Sequence, residues 1–237
     1  MTNDPIRSFA DEARRLGADV VLDAPFGALT TYRVGGSAAA LVELSDLETL
    51  RGVARIAGRL GAPSMVLGRG SNVLVADEGF DGIVLRLTGS FEEVSVDLDA
   101  ARAVAGSAAL LPVVARRTAA AGLVGFEWAV GVPGTVGGAV RMNAGGHGSD
   151  MAATVESVVV VNARTGEVSE RSTSEIGFEF RGSALGADDL VVRAVLRLAR
   201  GSVEEASSRI DEIVKWRREN QPGGQNAGSV FVNPVPR

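Results

Sequence analysis

Apolar and polar positions follow two different periods along this chain. Leu47, Leu50, Ala54, Ala57 and Leu60 recur every three or four residues, which predicts a helix with one face on a sheet. Ser45-Asp46-Leu47-Glu48 ahead of it has the polar N-cap and the acid three positions on of a capping box. Gly61 stands where a left-handed C-cap belongs. Ala40–Leu44 before this helix and Ser64–Leu67 after Pro63 read as strands, and the loop Gly68-Arg69-Gly70-Ser71-Asn72 leads into strand candidates Val73–Val75 and Ile83–Leu87. A second unit starts near Phe91, with a strand at Ala103–Gly106, a helix over about Ala109–Ala121 and Gly122 at its end. Val155–Asn162 and Glu167–Arg171 flank Arg164-Thr165-Gly166 as a hairpin, and Leu190–Leu198 adds another strand. Ser202–Glu205 repeats the capping pattern ahead of a helix over Val203–Glu219 whose apolar stripe is Ala206, Ile210, Ile213 and Val214; from Gln221 the tail is irregular. The pattern is α+β in two subdomains, without internal repeats.

Composition narrows the chemistry. The 237 residues are 46% apolar, ample for a buried core, and the thirty glycines lack any collagen-like period, so their excess belongs in loops and close backbone approaches. A net charge of −5 gives no broad positive field for nucleic acid or an anionic membrane surface. Lys215 is the only lysine, so cationic chemistry falls to arginine, whose planar fork suits carboxylate and phosphate. The absence of cysteine removes disulfides, thiolate nucleophiles and thiolate-bound metal centres. Acidic residues in Met1–Gly17 and the short, Pro-interrupted run Ala103–Ala115 supply neither a secretion signal nor a membrane span, so a soluble cytoplasmic protein is expected.

Two stretches stand out as candidate sites. Gly68–Asn72 lets a backbone approach a ligand closely, and its amides form a candidate diphosphate nest; a tight turn between strands is the equal alternative. It is not a dinucleotide fingerprint, because Val73 stands at the third glycine position, and no Gly-Lys-Ser/Thr phosphate loop occurs. Gly131–Gly138 is the second loop, and together the pair reads as two walls of one extended cofactor site. His147 is the only histidine and no Gly-x-Ser-x-Gly elbow occurs, so a hydrolase triad and a metal site are both disfavoured, and His147 reads as a solvated loop residue.

Taken together, Thr31–Gly36, Val66–Asn72, Gly131–Gly138, Arg141–Gly146, Phe180–Ser183 and Ala227–Pro234 resemble, in order and spacing, the UDP-N-acetylenolpyruvoylglucosamine reductase family. The resemblance implies an α+β fold of two subdomains clasping FAD, of the vanillyl-alcohol-oxidase-like type, with a third, substrate-binding domain. On that template residues 1–90 and 91–201 are the FAD-binding subdomains, and 202–237 are a connecting helix and the start of the third domain. The implied cofactor residues are Arg33, Gly68, Arg69, Gly70, Ser71, Asn72, Gly131, Pro133, Gly134, Thr135, Gly137, Gly138, Arg141 and Asn143.

The implied reaction is NADPH-driven reduction of the enolpyruvyl group of a UDP-sugar to UDP-N-acetylmuramate, a peptidoglycan precursor. Hydride addition at C3 builds negative charge at C2 beside the carboxylate, a task for Arg181 as clamp and Ser229 as proton donor. Asn233 matches a position that contacts the substrate diphosphate, while Arg217 and Arg218 are candidates from charge and proximity alone. Phe180 replaces the tyrosine common before the arginine, and the sequence stops at Arg237, without a match to the family's C-terminal catalytic glutamate. Two other readings therefore stand beside the reductase: an FAD-binding fragment without catalysis, and another flavin oxidoreductase on the same scaffold.

Overall fold

The computed structural model describes residues 5–225. Helix α1 (Pro5–Arg15) leads into strand β1 (Asp19–Ala24), β2 (Ala38–Leu44), helix α2 (Leu47–Leu60), β3 (Ser64–Val66) and β4 (Phe80–Leu87). These strands form a mixed sheet in the order β1-β2-β4-β3, with β1 antiparallel to β2 and both β2 and β3 parallel to β4. The helix cap is Asp46 rather than Ser45: the Asp46 carboxylate accepts from the Thr49 amide at 2.9 Å, while the Ser45 carbonyl accepts from Ser90. Gly61 closes the helix at φ +63, as the pattern predicts.

Val73–Val75 is not a strand. Beside it Gly35 packs so closely that an added Cβ would lie 2.3 Å from the Val75 carbonyl oxygen, and the Gly36 amide donates to Ala76 at 2.8 Å. The segment thus leaves the sheet where the Gly35–Gly36 turn packs on Val75 and bonds to Ala76 just beyond it.

The second half contains β5 (Val94–Asp97), β6 (Arg102–Gly106), helices α3 (Leu111–Ala120) and α4 (Val136–Arg141), β7 (Val155–Asn162), β8 (Val168–Ser172), the short α5 (Thr173–Ile176), β9 (Asp189–Arg197) and α6 (Val203–Asn220). Its sheet is antiparallel throughout, in the order β8-β7-β9-β6-β5. The β7–β8 turn closes because the Asn162 carboxamide accepts the Arg164 and Thr165 amides, both at 2.9 Å, and Gly166 takes φ +67. Helix α3 starts later than expected because Leu110 is still extended and bridges to Thr135.

One core packs α3, α4 and α6 on β6, β7 and β9, through Phe126, Trp128, Val158, Leu196, Ile210 and Ile213 among others. A second core joins α1, α2, β1, β2 and β4 to Val161 and Ala163 at the end of β7 and to Leu190 and Val192 of β9. Apolar packing therefore runs continuously from the first sheet onto the second.

Candidate functional site

The first wall of the site is the turn after β3. Gly70 has φ +64 and its carbonyl accepts from the Thr31 amide at 3.0 Å, tying the turn to the Thr30–Thr31 segment. Among the described residues, the amides of Gly68, Arg69, Gly70, Ser71 and Asn72 donate to no protein acceptor. Consecutive amides of this kind around a left-handed glycine make a concave anion nest. Arg69 and Arg33, the latter held at φ +55, are exposed and line the same cleft.

The second wall is the Pro133–Gly134 turn. Ser71 Oγ donates to the Pro133 carbonyl at 3.2 Å, joining loops 62 residues apart. The loops touch so closely that a Cβ on Gly68 would fall 2.4 Å from Thr135 Oγ1. Between them opens a cleft of about 700 Å³, lined by Thr30, Thr31, Arg33, Arg69, Ser71, Leu110, Pro112, Pro133, Gly134, Gly224 and Gln225 among others.

Gly131 and Gly137, expected at the cofactor, have a packing role in this structure. Gly131 is buried, with His147 and Ile213 each 3.1 Å from where its Cβ would stand, and a Cβ on Gly137 would meet Ser107 at 2.9 Å. The first amides of α4 are taken as well, Val136 by the Ala109 carbonyl and Gly137 by that of Ser107, so this short helix does not present them to a ligand. Gly138 is exposed, with Thr135 Oγ1 the nearest atom at 3.7 Å from its Cβ position.

Arg141 and Asn143, also expected beside the cofactor, do not line the cleft. Arg141 Nη1 donates to the carbonyls of Leu185 and Gly186 at 2.7 and 2.6 Å. The Asn143 carboxamide donates to Glu179 and accepts from Ala152. With Ser183 Oγ bonded to the Arg141 carbonyl, these contacts fasten the Glu179–Gly182 turn to the end of α4. That turn closes through reciprocal Glu179–Gly182 backbone bonds and carries Arg181 at φ +64, beside a Phe180 that is 92% exposed. A left-handed non-glycine residue costs about 1–2 kcal/mol, so the turn holds Arg181 outward against its preference. Ser229 and Asn233 lie outside the described residues.

Two candidates take other places. Arg217 donates to the buried Gly131 carbonyl and, at 2.9 Å, to Gln221; Arg218 is exposed on α6. His147 is not a free loop residue: it has φ +52 and its ring meets Trp216 edge-on at 5.1 Å. Burial first, then the Arg209 and Arg217 charges, push its imidazole below the ordinary value of 6.5. The folded state therefore resists a proton that the unfolded chain accepts. Stability is fully present above pH 6.5 and is lost as pH falls toward the lowered folded value. Thermal midpoints at about pH 7.5 and about pH 5.5 should show wild type losing more on acidification than His147→Gln. Equal losses would remove His147 from the acid response.

The lining by Thr31 had a sequence signal in the Thr31–Gly36 motif, whereas Thr30, Leu110 and Pro112 carried none, the last two belonging to a helix start that reaches the cleft only through tertiary packing.

Residues 38–172 match the family model described as FAD binding domain. The chain is 39% identical over 223 residues to UDP-N-acetylenolpyruvoylglucosamine reductase of Rubrobacter xylanophilus, covering 93% of this chain and 74% of that protein. It is 37% identical over 235 residues to the protein of that name from Paramagnetospirillum magneticum, covering 99% and 75%. The crystal structure of UDP-N-acetylenolpyruvylglucosamine reductase from Thermus caldophilus superposes with a TM-score of 0.76 at 37% identity, over 92% of this chain and 75% of that one. Physcomitrella patens BBE-like 1 shares the fold, with a TM-score of 0.64 at 18% identity over 81% of this chain and 44% of that one.

Proposed function

The chain belongs to the UDP-N-acetylenolpyruvoylglucosamine reductase family of oxidoreductases, and we propose that it binds FAD between its glycine loops and reduces UDP-N-acetylenolpyruvoylglucosamine with NADPH. The observation that carries this reading is the run of unpaired amides over Gly68–Asn72, of which Arg69 and Ser71 line one cleft with Arg33, Pro133 and Gly134. A diphosphate fits that donor set: backbone N–H groups solvate its oxygens, two guanidinium groups offset its charge, and the left-handed Gly70 lets the turn pack directly on the Leu29–Thr30 backbone. FAD held there supplies a two-electron hydride carrier. Thr30, Thr31, Leu110 and Pro112 wall the rest of the cleft.

Arg181 has the other principal role. Its permanent charge on an outward turn faces the substrate carboxylate and stabilises the negative charge that hydride addition at C3 leaves at C2. Arg141 and Asn143 act one step behind it by holding that turn in place. Ser229 is the proposed proton donor to C2, completing addition of hydride and proton across the double bond, and Asn233 the proposed contact to the substrate diphosphate. The setting is cytoplasmic synthesis of a peptidoglycan precursor; among the described residues no helix is long and apolar enough to cross a membrane.

Purified protein should show or acquire a saturable flavin spectrum on FAD titration. Anaerobic NADPH should then bleach it, and the UDP-enolpyruvyl sugar should restore the colour with one equivalent of product formed. Folded protein that never binds FAD would overturn the reading at its first step. Flavin that NADPH reduces but the substrate never reoxidises would leave a flavoprotein without the proposed reductase activity.

A further inference from the structure

We propose that Arg217 is a positioning residue for the cofactor, fixing the Gly131–Gly138 loop against the Gly68–Asn72 nest through the Gly131 carbonyl. The proposal rests on the FAD-binding reading above. Three side chains of α6 at i, i+3 and i+4 meet one spot: Ile213 lies 3.1 Å from the Cβ position of Gly131, Trp216 packs edge-on against His147, and Arg217 Nη1 donates to the Gly131 oxygen. Arg217 Nε donates to Gln221 Oε1 at 2.9 Å, so the planar fork bridges two acceptors at once. A lysine in its place carries its donors on one nitrogen and loses the fork's simultaneous grip on the two acceptors.

The leverage comes from the residues just beyond Gly131. Two positions on, the Pro133 carbonyl accepts from Ser71 at 3.2 Å, and the Gly134 carbonyl accepts from the Leu111 amide at 3.1 Å. Arg217, Ser71 and Leu111 thus hold three carbonyls within four residues, and only the Arg217 bond reaches across from α6. The same helix end sends the chain back toward the site, since Gly224 and Gln225 line the cleft while Arg217 does not. One guanidinium therefore sets both the glycine wall and the direction of the chain leaving α6. Its effect on a ligand acts through position, not through its own charge.

The test is FAD titration of the full chain, read by quenching of flavin fluorescence, with deuterium uptake of the ligand-free protein as a second readout. Arg217→Met should weaken FAD binding about 10- to 100-fold, the range of one charge-assisted hydrogen bond. Arg217→Lys should recover part of the loss, and Arg218→Met on the exposed neighbour should stay within about twofold of wild type. Without FAD, Arg217→Met should raise uptake in peptides covering 131–138 and leave β2 and β4 unchanged. Wild-type FAD affinity with unchanged uptake overturns the proposal. Should Arg217→Met not fold, Arg217→Gln, too short to reach Gly131, replaces it in both assays. If wild-type protein binds no FAD, the cofactor reading fails, while the uptake comparison still decides whether Arg217 holds the loop.

Discussion

Replacing Gly70 with valine is expected to weaken FAD binding at least about 100-fold, while the same change at Gly61 leaves it unaltered. The two glycines have nearly the same backbone, φ +64 and φ +63. Their surroundings differ. At Gly61, on the far end of α2, nothing lies within 4 Å of a Cβ, so valine brings only the left-handed penalty of about 1–2 kcal/mol to overall stability. At Gly70 the Cβ would stand 2.6 Å from the Leu29 oxygen and 2.7 Å from Thr30 Cα, and backbone cannot swing aside as a side-chain tip does. Because Leu29, Thr30 and Thr31 themselves line the cleft, relieving the clash displaces the nest and the facing wall together. Circular dichroism establishes that both variants fold, and FAD titration compares them. An unchanged affinity in Gly70→Val would mean that the diphosphate does not sit on the Gly68–Asn72 amides.

That contrast also marks where sequence reasoning stops. Helix α2 was legible because its apolar spacing, its acidic first turn and Gly61 all agree; only the capping residue was ambiguous, since Ser45 and Asp46 are both good caps. Val73–Val75 reads as a strand from β-branched composition, but pairing is a tertiary property, and here the Gly35–Gly36 turn packs on Val75 and bonds to Ala76 instead. Helix α4 was hidden by Gly137 and Gly138, poor helix formers that tertiary packing nevertheless holds in a helix.

The glycine loops were legible as loops, yet a glycine that admits a ligand looks the same in sequence as one that admits a neighbouring element. In the fold Gly68 and Gly70 make room for Thr135 and for the Leu29–Thr30 backbone, while Gly131 and Gly137 make room for His147, Ile213 and Ser107. Arginine carries the same ambiguity. Its fork suits an anion or a pair of carbonyls equally, and that Arg141 grips Leu185 and Gly186, 44 and 45 residues away, is invisible without the fold. The contribution of α6 went unread for that reason: its stripe predicted a packed helix but not that Trp216 meets His147 or that Arg217 reaches the Gly131 carbonyl.

Arg181→Met is expected to lower turnover of the UDP-enolpyruvyl sugar by about 10²- to 10³-fold, the cost of removing one preorganised donor from a developing oxyanion. FAD affinity should stay within about twofold, because Arg181 stands on the Glu179–Gly182 turn and not on the wall of the cleft. A loss of activity alone would not separate chemistry from folding, but the backbone offers a control. At φ +64 the arginine is strained and a glycine is not, so Arg181→Gly should match or exceed wild type in thermal midpoint. It should be as inactive as Arg181→Met. Arg181→Lys restores charge without the fork and should recover only part of kcat, with its residual defect in carboxylate-dependent binding. Should Arg181→Gly prove more stable and still turn over at the wild-type rate, the guanidinium has no part in the reaction, and the turn that holds it outward would need another explanation.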